Sequence, residues 1–344
     1  MAKFIKFLLF LAVGLLAFFI VMQKVGAENI NQAFMLFFSI NGLIILLFTF
    51  LFAFLGIVKW KLILKSFGHK FTLKQLSPLW LLGFAISYIT PFSLFGGEIF
   101  RIYFTKKKFP KLKWEIPMAS VAIDKLLDAT VFFLFLIAGL IAFTFFGELN
   151  SLWTIVGIVI TAVALFSLLA LFYFKRYKKE SALEWLINTV GLKKTRFING
   201  KENREAIFLA EKEVFDFFDI NKKQFWKALG ITLLRYAVNF ARGAVLIIFI
   251  VGNIGFLKSL AVYGFAGLST LTPMPATLGA LEIGQGIIFR VLGFGFGNGT
   301  VFSMVWRGAD LMICLIGAIF LVIYTVKLAE EKVLRFFEKK GNLK

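Results

Sequence analysis

Ionisable side chains inside apolar runs are the residues of this sequence with chemistry to do. Glu98 and Arg101 lie three apart after Gly96-Gly97, so they share a helical face. Asp124, Lys125 and Asp128 fall in one long apolar run, the two aspartates at i and i+4. Arg307 and Asp310 repeat the i, i+3 spacing of Lys125 and Asp128, and Glu282 follows a Pro/Gly-rich stretch as Glu98 does. Arg235, Asn239 and Arg242 sit at i, i+4, i+7, which puts two guanidiniums and an amide on one side of a helix. An ionisable group at mid-bilayer costs roughly 2.5–3.5 kcal/mol on insertion scales, so such groups are paired or face a cavity. Two chemistries fit them. The arginines offer planar forks suited to a phosphate. The carboxylates can engage a cationic group or carry a coupled proton or ion. The blander alternative is ion pairing that pins helices: Lys125 with Asp128, Arg307 with Asp310, Glu98 with Arg101, or Arg235 and Arg242 with Glu98, Glu282 or Asp128.

Other chemistries lack their residues. There is no Ser–His–carboxylate set and no phosphate-binding loop. One cysteine (Cys314) and one histidine (His69) build neither a disulfide framework nor a Cys/His metal site. No metal and no cofactor is expected. A carboxylate-only transferase, with Glu98 or Asp124 as base, stays open as an alternative.

The elements that must position these groups are membrane spans. The chain has 344 residues, 60% of them hydrophobic, with 46 phenylalanines and a mean hydropathy of +0.86; soluble domains hold roughly 45–50% apolar residues. The expected fold is an all-α integral membrane protein, a single transmembrane domain over 1–344. The net charge of +20 reads as basic residues crowding cytoplasmic span ends and meeting anionic headgroups, rather than nucleic-acid binding. Full spans are expected at 4–22, 34–58, 117–146, 152–174, 225–251 and 301–325. Residues 59–74 and 105–113 are both lysine-rich, which places both in the cytoplasm. The apolar stretch 76–104 between them is too short for two spans of about 20 residues. It is therefore expected to be a re-entrant hairpin, shaped by Pro91, Gly96 and Gly97. Eight ordinary kinked helices are the alternative. The loops at 23–33, 147–151 and 252–258 carry little positive charge and fall outside; both termini fall in the cytoplasm. A second hairpin, 259–292, is shaped by Pro273, Pro275 and Gly279. Residues 175–224 form a cytosolic insertion whose apolar spacing suits amphipathic helices on the inner membrane surface. The N-terminal run with Val25-Gly26-Ala27 mimics a cleavable signal, but the repeat described next needs it as a retained span.

That repeat has a period of 182 residues. Thr90-Pro91 recurs as Thr272-Pro273, Ser77 as Ser259, Ser87 as Ser269, and Lys125 and Asp128 as Arg307 and Asp310. Glu98 matches Glu282 after a two-residue insertion, which sets Arg101 opposite Gln285. The first repeat covers 1–146 and the second 152–325. Each holds three full spans, an odd number, so the copies have opposite orientations. Inverted repeats with broken helices meeting near the midplane are a transporter signature.

At these residues the chain resembles the lysylphosphatidylglycerol synthase transmembrane region, a flippase-like family of polytopic membrane proteins. The resemblance is carried by Val58-Lys59-Trp60-Lys61-Leu62, by Pro91 through Gly96-Gly97-Glu98-Ile99-Phe100-Arg101, by Asp124-Lys125-Leu126-Leu127-Asp128, by Pro273 through Gly279-Ala280-Leu281-Glu282, and by Arg307-Gly308-Ala309-Asp310. It spans nearly the whole sequence. Where the family has Glu-Arg before Leu-Leu-Asp, this chain has Asp124-Lys125, with charge signs kept. The resemblance implies translocation of lipids such as aminoacylated phosphatidylglycerol, or a place in polyprenyl-phosphate glycolipid pathways. The aminoacyl-transferase domain of the full synthases has no counterpart in this sequence, which points to a membrane role rather than synthesis.

The expected function is flipping of a lipid or lipid-linked anionic headgroup across the cytoplasmic membrane. Glu98, Arg101, Arg235, Asn239, Arg242 and Glu282 are the candidate substrate contacts. Asp124, Lys125, Asp128, Arg307 and Asp310 are candidates for ion pairing or coupling. The expected partners are anionic membrane lipids. Alternatives are a transferase using a lipid-phosphate donor, or a non-catalytic partner that anchors a glycosyltransferase or other lipid-modifying enzyme through 175–224.

Overall fold

The computed structural model describes residues 26–90, 96–146, 201–219, 222–272 and 274–341, with scattered positions within 16–23 and 160–170. Among the described residues every regular element is a helix. After a helical stretch at 26–37 come α1 (Ile40–Ser66), α2 (Leu73–Ile89), α3 (Glu98–Lys108) and α4 (Glu115–Phe146). Then follow α5 (Lys201–Asp219), α6 (Lys222–Val251), α7 (Phe256–Thr270), α8 (Ala280–Val291) and α9 (Phe296–Gly341). Among the described residues, four helices are long and apolar enough to cross a membrane: Ile40–Ser66, Glu115–Phe145, Lys222–Val251 and Phe296–Lys327. Their outward faces carry exposed Leu43, Leu47, Phe50, Leu134, Leu234, Leu315 and Val322, an apolar girdle that lipid would cover.

Several element boundaries differ from the sequence expectation. The run at 34–58 is two pieces: residues 34–37 end the preceding helix, and Ser39 caps α1 by accepting the Asn41 amide. The stretch 23–33, expected as an outer loop, is helical from 26. At its other end α1 continues through Lys59, Lys61 and Lys65 to Ser66. These lysines are therefore helical, because the apolar spacing Ala53, Ile57, Trp60, Leu64 carries on past the first charge. The spans expected at 4–22 and 152–174 lie largely outside the described residues, and 175–200, Pro91 and Pro273 wholly so.

α2 and α3 are short. Seventeen residues rise about 25 Å at 1.5 Å each, less than the roughly 30 Å hydrocarbon core. Thr72 and Gln75 form a capping box at the start of α2. Ser87 Oγ accepts the Gly97 amide at 2.9 Å, and Gly83 lies against the Arg101 side chain, so the two arms run antiparallel. α7 and α8 repeat this arrangement around a 3-10 turn at Pro275–Thr277, where Ala276 and Thr277 adopt φ of 50° and 53°. Gly279, at φ 78°, starts α8 in a conformation that L side chains rarely adopt.

The halves interlock. α1 lies along α6, α2 packs on α9, and α7 packs on α4. Gly139 of α4 meets Gly264 of α7 so closely that a Cβ on Gly139 would stand 2.6 Å from the Gly264 Cα. One apolar cluster, with Ile45, Phe143, Leu246, Phe289, Val301 and Trp306, fills the end of the bundle where α4 and α6 finish. Another fills the end where they begin, joining Ile63, Ala119, Ile123 and Ala228 to Ala210, Val214, Phe217 and Phe218 of α5. α5 therefore buries its apolar face against α1, α4 and α6 instead of offering it to headgroups.

Candidate functional site

Every sequence-nominated charge among the described residues has a partner on another helix. Lys125 of α4 reaches Glu98 at the start of α3 (2.6 Å), not Asp128. Arg101, one turn into α3, takes Asp124 Oδ2 at 2.7 Å and stacks 4.2 Å from the Trp60 ring. Asp128 receives Arg235 from α6 through both oxygens, at 2.8 and 2.9 Å. In the other half, the Arg307 fork clasps Glu282 at 2.6 and 2.7 Å and donates to the Thr277 carbonyl. Glu282 also accepts the Gly279 amide at 3.0 Å. Arg242 bonds Asp310 at 2.7 Å and Thr49 at 3.0 Å, 3.6 Å from the Trp306 ring. The expected local pairings within α4 and within α3 thus give way to cross-helix pairs. Side chains three apart on one helix point along the surface, whereas a facing helix offers a partner head-on.

Lys59 is absent from the sequence-nominated charges. It is fully buried (0% exposed) and bonds Asp124 and Asp128 at 2.8 and 2.7 Å, plus the Asp124 carbonyl at 3.0 Å. The sequence reading assigns it to a cytoplasmic basic loop. Its signal is its neighbour: Lys59 sits beside Trp60 on the buried face, whereas Lys65 is exposed. Two aspartates, Lys59, Arg101 and Arg235 therefore form one network across α1, α3, α4 and α6. An unpaired buried charge would cost several kcal/mol, and here each carboxylate meets at least two cations.

These groups surround a cavity of about 1090 Å³, slightly larger than the usual ~300–1,000 Å³ small-molecule site. Arg101, Asp124, Asp128 and Arg235 of this network line it, together with Glu98, Lys125, Arg307 and Asp310. Aromatic walls come from Phe52, Trp80, Phe84, Phe132 and Trp306. Ala210, Glu211, Val214 and Phe215 of α5 form its rim at one end. Asn239 donates to the Tyr263 hydroxyl at 3.0 Å, and its own carbonyl oxygen is unpartnered, as is the Tyr88 hydroxyl. Both residues line the cavity, so polar capacity is left over for a guest. Of the candidate substrate contacts, Glu98, Arg101, Arg235 and Asn239 meet in the cavity wall. Arg242 and Glu282 stand behind it, 1% and 0% exposed. Of the pairs described above, the most open is Lys125 with Glu98, at 28% and 13% side-chain exposure. Among the described residues no His/Cys/Asp/Glu group has a metal-holding arrangement.

Comparison with known proteins agrees with the resemblance. A stretch of 120 residues is 31% identical to a UPF0104 membrane protein of Methanocaldococcus jannaschii, covering 34% of this chain and 33% of that protein. The chain thus spans about a third of the curated relative it matches. No solved structure matches. Residues 4–318 match the family described as the lysylphosphatidylglycerol synthase TM region. With that match over nearly its whole length, and with apolar helices built around a charged cavity, this chain is a membrane protein that belongs to the lysylphosphatidylglycerol synthase TM region family.

Proposed function

We propose that this protein flips a lipid, or a lipid-linked headgroup, bearing an anionic group across the cytoplasmic membrane, and that the cavity between its halves is the headgroup site. The observation that carries the reading is the cavity itself: one space bordered by charged groups from both halves and walled elsewhere by aromatic rings. A polar headgroup needs the first surface and the start of an acyl or prenyl chain the second. The arrangement is six spans with two re-entrant hairpins, α2–α3 and α7–α8, in inverted repeats. The helix lengths of α2 and α7 support this, as neither can cross alone. Both termini lie in the cytoplasm, on the side of α5.

The pairing changes which residues meet the guest. Arg101 and Arg235 are already neutralised by aspartates, so Lys125 is the cation most able to exchange Glu98 for a phosphate. Glu98, released, is then free for a positive group on the same headgroup. The transferase alternative has less support, because both candidate bases are held by cations, Glu98 by Lys125 and Asp124 by Lys59 and Arg101. A docking role for 175–224 toward a glycosyltransferase is left to whatever α5 exposes on its outer face.

Proteoliposomes carrying headgroup-labelled lipid test the reading. Protein is expected to speed leaflet exchange, and Glu98→Ala with Glu282→Ala to abolish the gain. Equal exchange with and without protein, or no loss in the double variant, would overturn it.

A further inference from the structure

One packing relation is the same in both halves, and another is not. α2 with α9 matches α7 with α4, while α1 with α6 pairs the two copies of one span. The exception is the second hairpin arm against the span that follows it. α8 lies along α9 with its glycines pressed in: a Cβ on Gly286 would strike the Phe296 ring, and one on Gly299 the Gln285 carbonyl. α3 touches α4 far less, and the cavity occupies the space between them, where Ile102, Met118 and Val121 line it.

The 182-residue period maps Met118 to Thr300 and Val121 to Ser303. Both hydroxyl residues are 0% exposed in the apolar cluster at the end of the bundle opposite α5. Each bonds back to its own helix, at 3.3 and 2.8 Å, as such residues commonly do. Gln285, the counterpart of Arg101, is harder to explain structurally. It is also 0% exposed; its amide nitrogen reaches the Val262 carbonyl at 3.3 Å, but its carbonyl oxygen has no partner. A core needed only for packing would put an apolar residue there, since a stranded buried acceptor costs about 1–3 kcal/mol. A surface that is wetted part of the time needs the polar one. The carboxylates differ in the same sense: the Glu98 side chain is 13% exposed toward the cavity, and Glu282 is sealed.

We infer that α8 and α9 close over a second vestibule, lined by Glu282, Gln285, Thr300, Ser303 and Arg307. It opens on the face opposite α5 when α3 closes on α4, and it takes the same anionic headgroup there. This rests on the translocation reading for its ligand, but its geometry can be tested separately. The Glu282–Arg307 clasp is the sealed latch of the present state; its repeat counterpart, Glu98–Lys125, is also made at 2.6 Å here but stands open to the cavity, and it is the sealed latch of the other state.

The only native cysteine, Cys314, is replaced by alanine in the full chain, and single cysteines are placed at Met118, which is partly exposed, or at its sealed counterpart Thr300. Reaction with a membrane-impermeant maleimide is followed from each face of proteoliposomes that also hold fluorescent phosphatidylglycerol. The Met118→Cys site should react from the α5 face at least about tenfold faster than the Thr300→Cys site from either face. Glu282→Gln should raise Thr300→Cys reaction from the opposite face several-fold and lower that of Met118→Cys. Arg307→Lys keeps the charge but loses the fork, and should act the same way should Glu282→Gln fail to give monodisperse protein. Reaction of both cysteines from one face, or no reciprocal change in either latch variant, overturns the vestibule. Reciprocal labelling without lipid exchange sinks translocation and leaves the vestibule standing. Exchange without reciprocal labelling does the opposite.

Discussion

Arg235 of α6 grips both carboxylate oxygens of Asp128 on α4, at 2.8 and 2.9 Å, with its guanidinium 3.9 Å from the Phe52 ring of α1. This contact ties α6 to α4 and α1 at the cavity wall. Asp128 also accepts Lys59 at 2.7 Å, so losing Arg235 leaves it one cation, whereas losing Asp128 leaves Lys59, Arg101 and Arg235 with Asp124 alone. An uncompensated buried charge costs about 3–5 kcal/mol. Asp128→Leu should therefore lower thermal stability in detergent sharply, and Arg235→Met with Asp128→Leu, which removes the surplus cation, should recover part of it. Equal losses in the single and double variants would remove the pair from the set of structural ties.

Lys59 and Lys61 are separated by one residue and should behave as different kinds of lysine. Lys59→Met takes one cation from each of Asp124 and Asp128, which keep Arg101 and Arg235, and loses buried hydrogen bonds to charged groups worth about 1.5–3 kcal/mol each. Lys61→Met touches a partly exposed side chain and should stay within about 0.5 kcal/mol. Denaturant titration of the two variants in micelles separates them.

The Glu98–Lys125 pair is open to the cavity, so its charges are expected to matter more to transport than to folding. Glu98→Lys or Lys125→Glu alone should abolish lipid exchange. The double reversal should restore part of it, with a coupling of about 0.5–3 kcal/mol between the sites. Full loss in the double variant with an intact fold would mean that the sign at each position is itself required.

Gly139 and Gly264 allow α4 and α7 to touch backbone to backbone. Alanine at either forces the helices apart, with a cost of about 1–3 kcal/mol expected for overpacking. Gly230, in the interior of α6, is the control, since a Cβ there would have nothing within 4 Å. Alanine at that position should be neutral or stabilise by up to about 1 kcal/mol. Melting temperatures of the three variants decide the matter.

Much of the site is legible in the sequence. Glu98, Arg101, Asp124, Lys125, Asp128, Arg235, Arg307 and Asp310 stand out because charge inside an apolar run needs a reason, and all of them line the cavity. The pairing is not legible. Spacing along one helix suggests Lys125 with Asp128; the packed bundle gives Lys125 to Glu98, and Asp128 to Lys59 and Arg235. Lys59 escapes notice because a lysine at the end of an apolar run is ordinarily a cytoplasmic flank. Only the rotation of α1 about its axis separates Lys59 from Lys61, and that rotation is fixed by packing.

The sequence alone determined the membrane class and the family resemblance, because composition and motif order are properties that survive in one dimension. The tertiary structure decided which charges neutralise each other, because an ion pair depends on which helix faces which across the bundle. It also decided that α3 meets α4 chiefly through ion pairs at the cavity wall while α8 lies closely along α9. Spacing along the chain cannot encode that difference, because the separation of two helices is set by how side chains from distant segments pack between them.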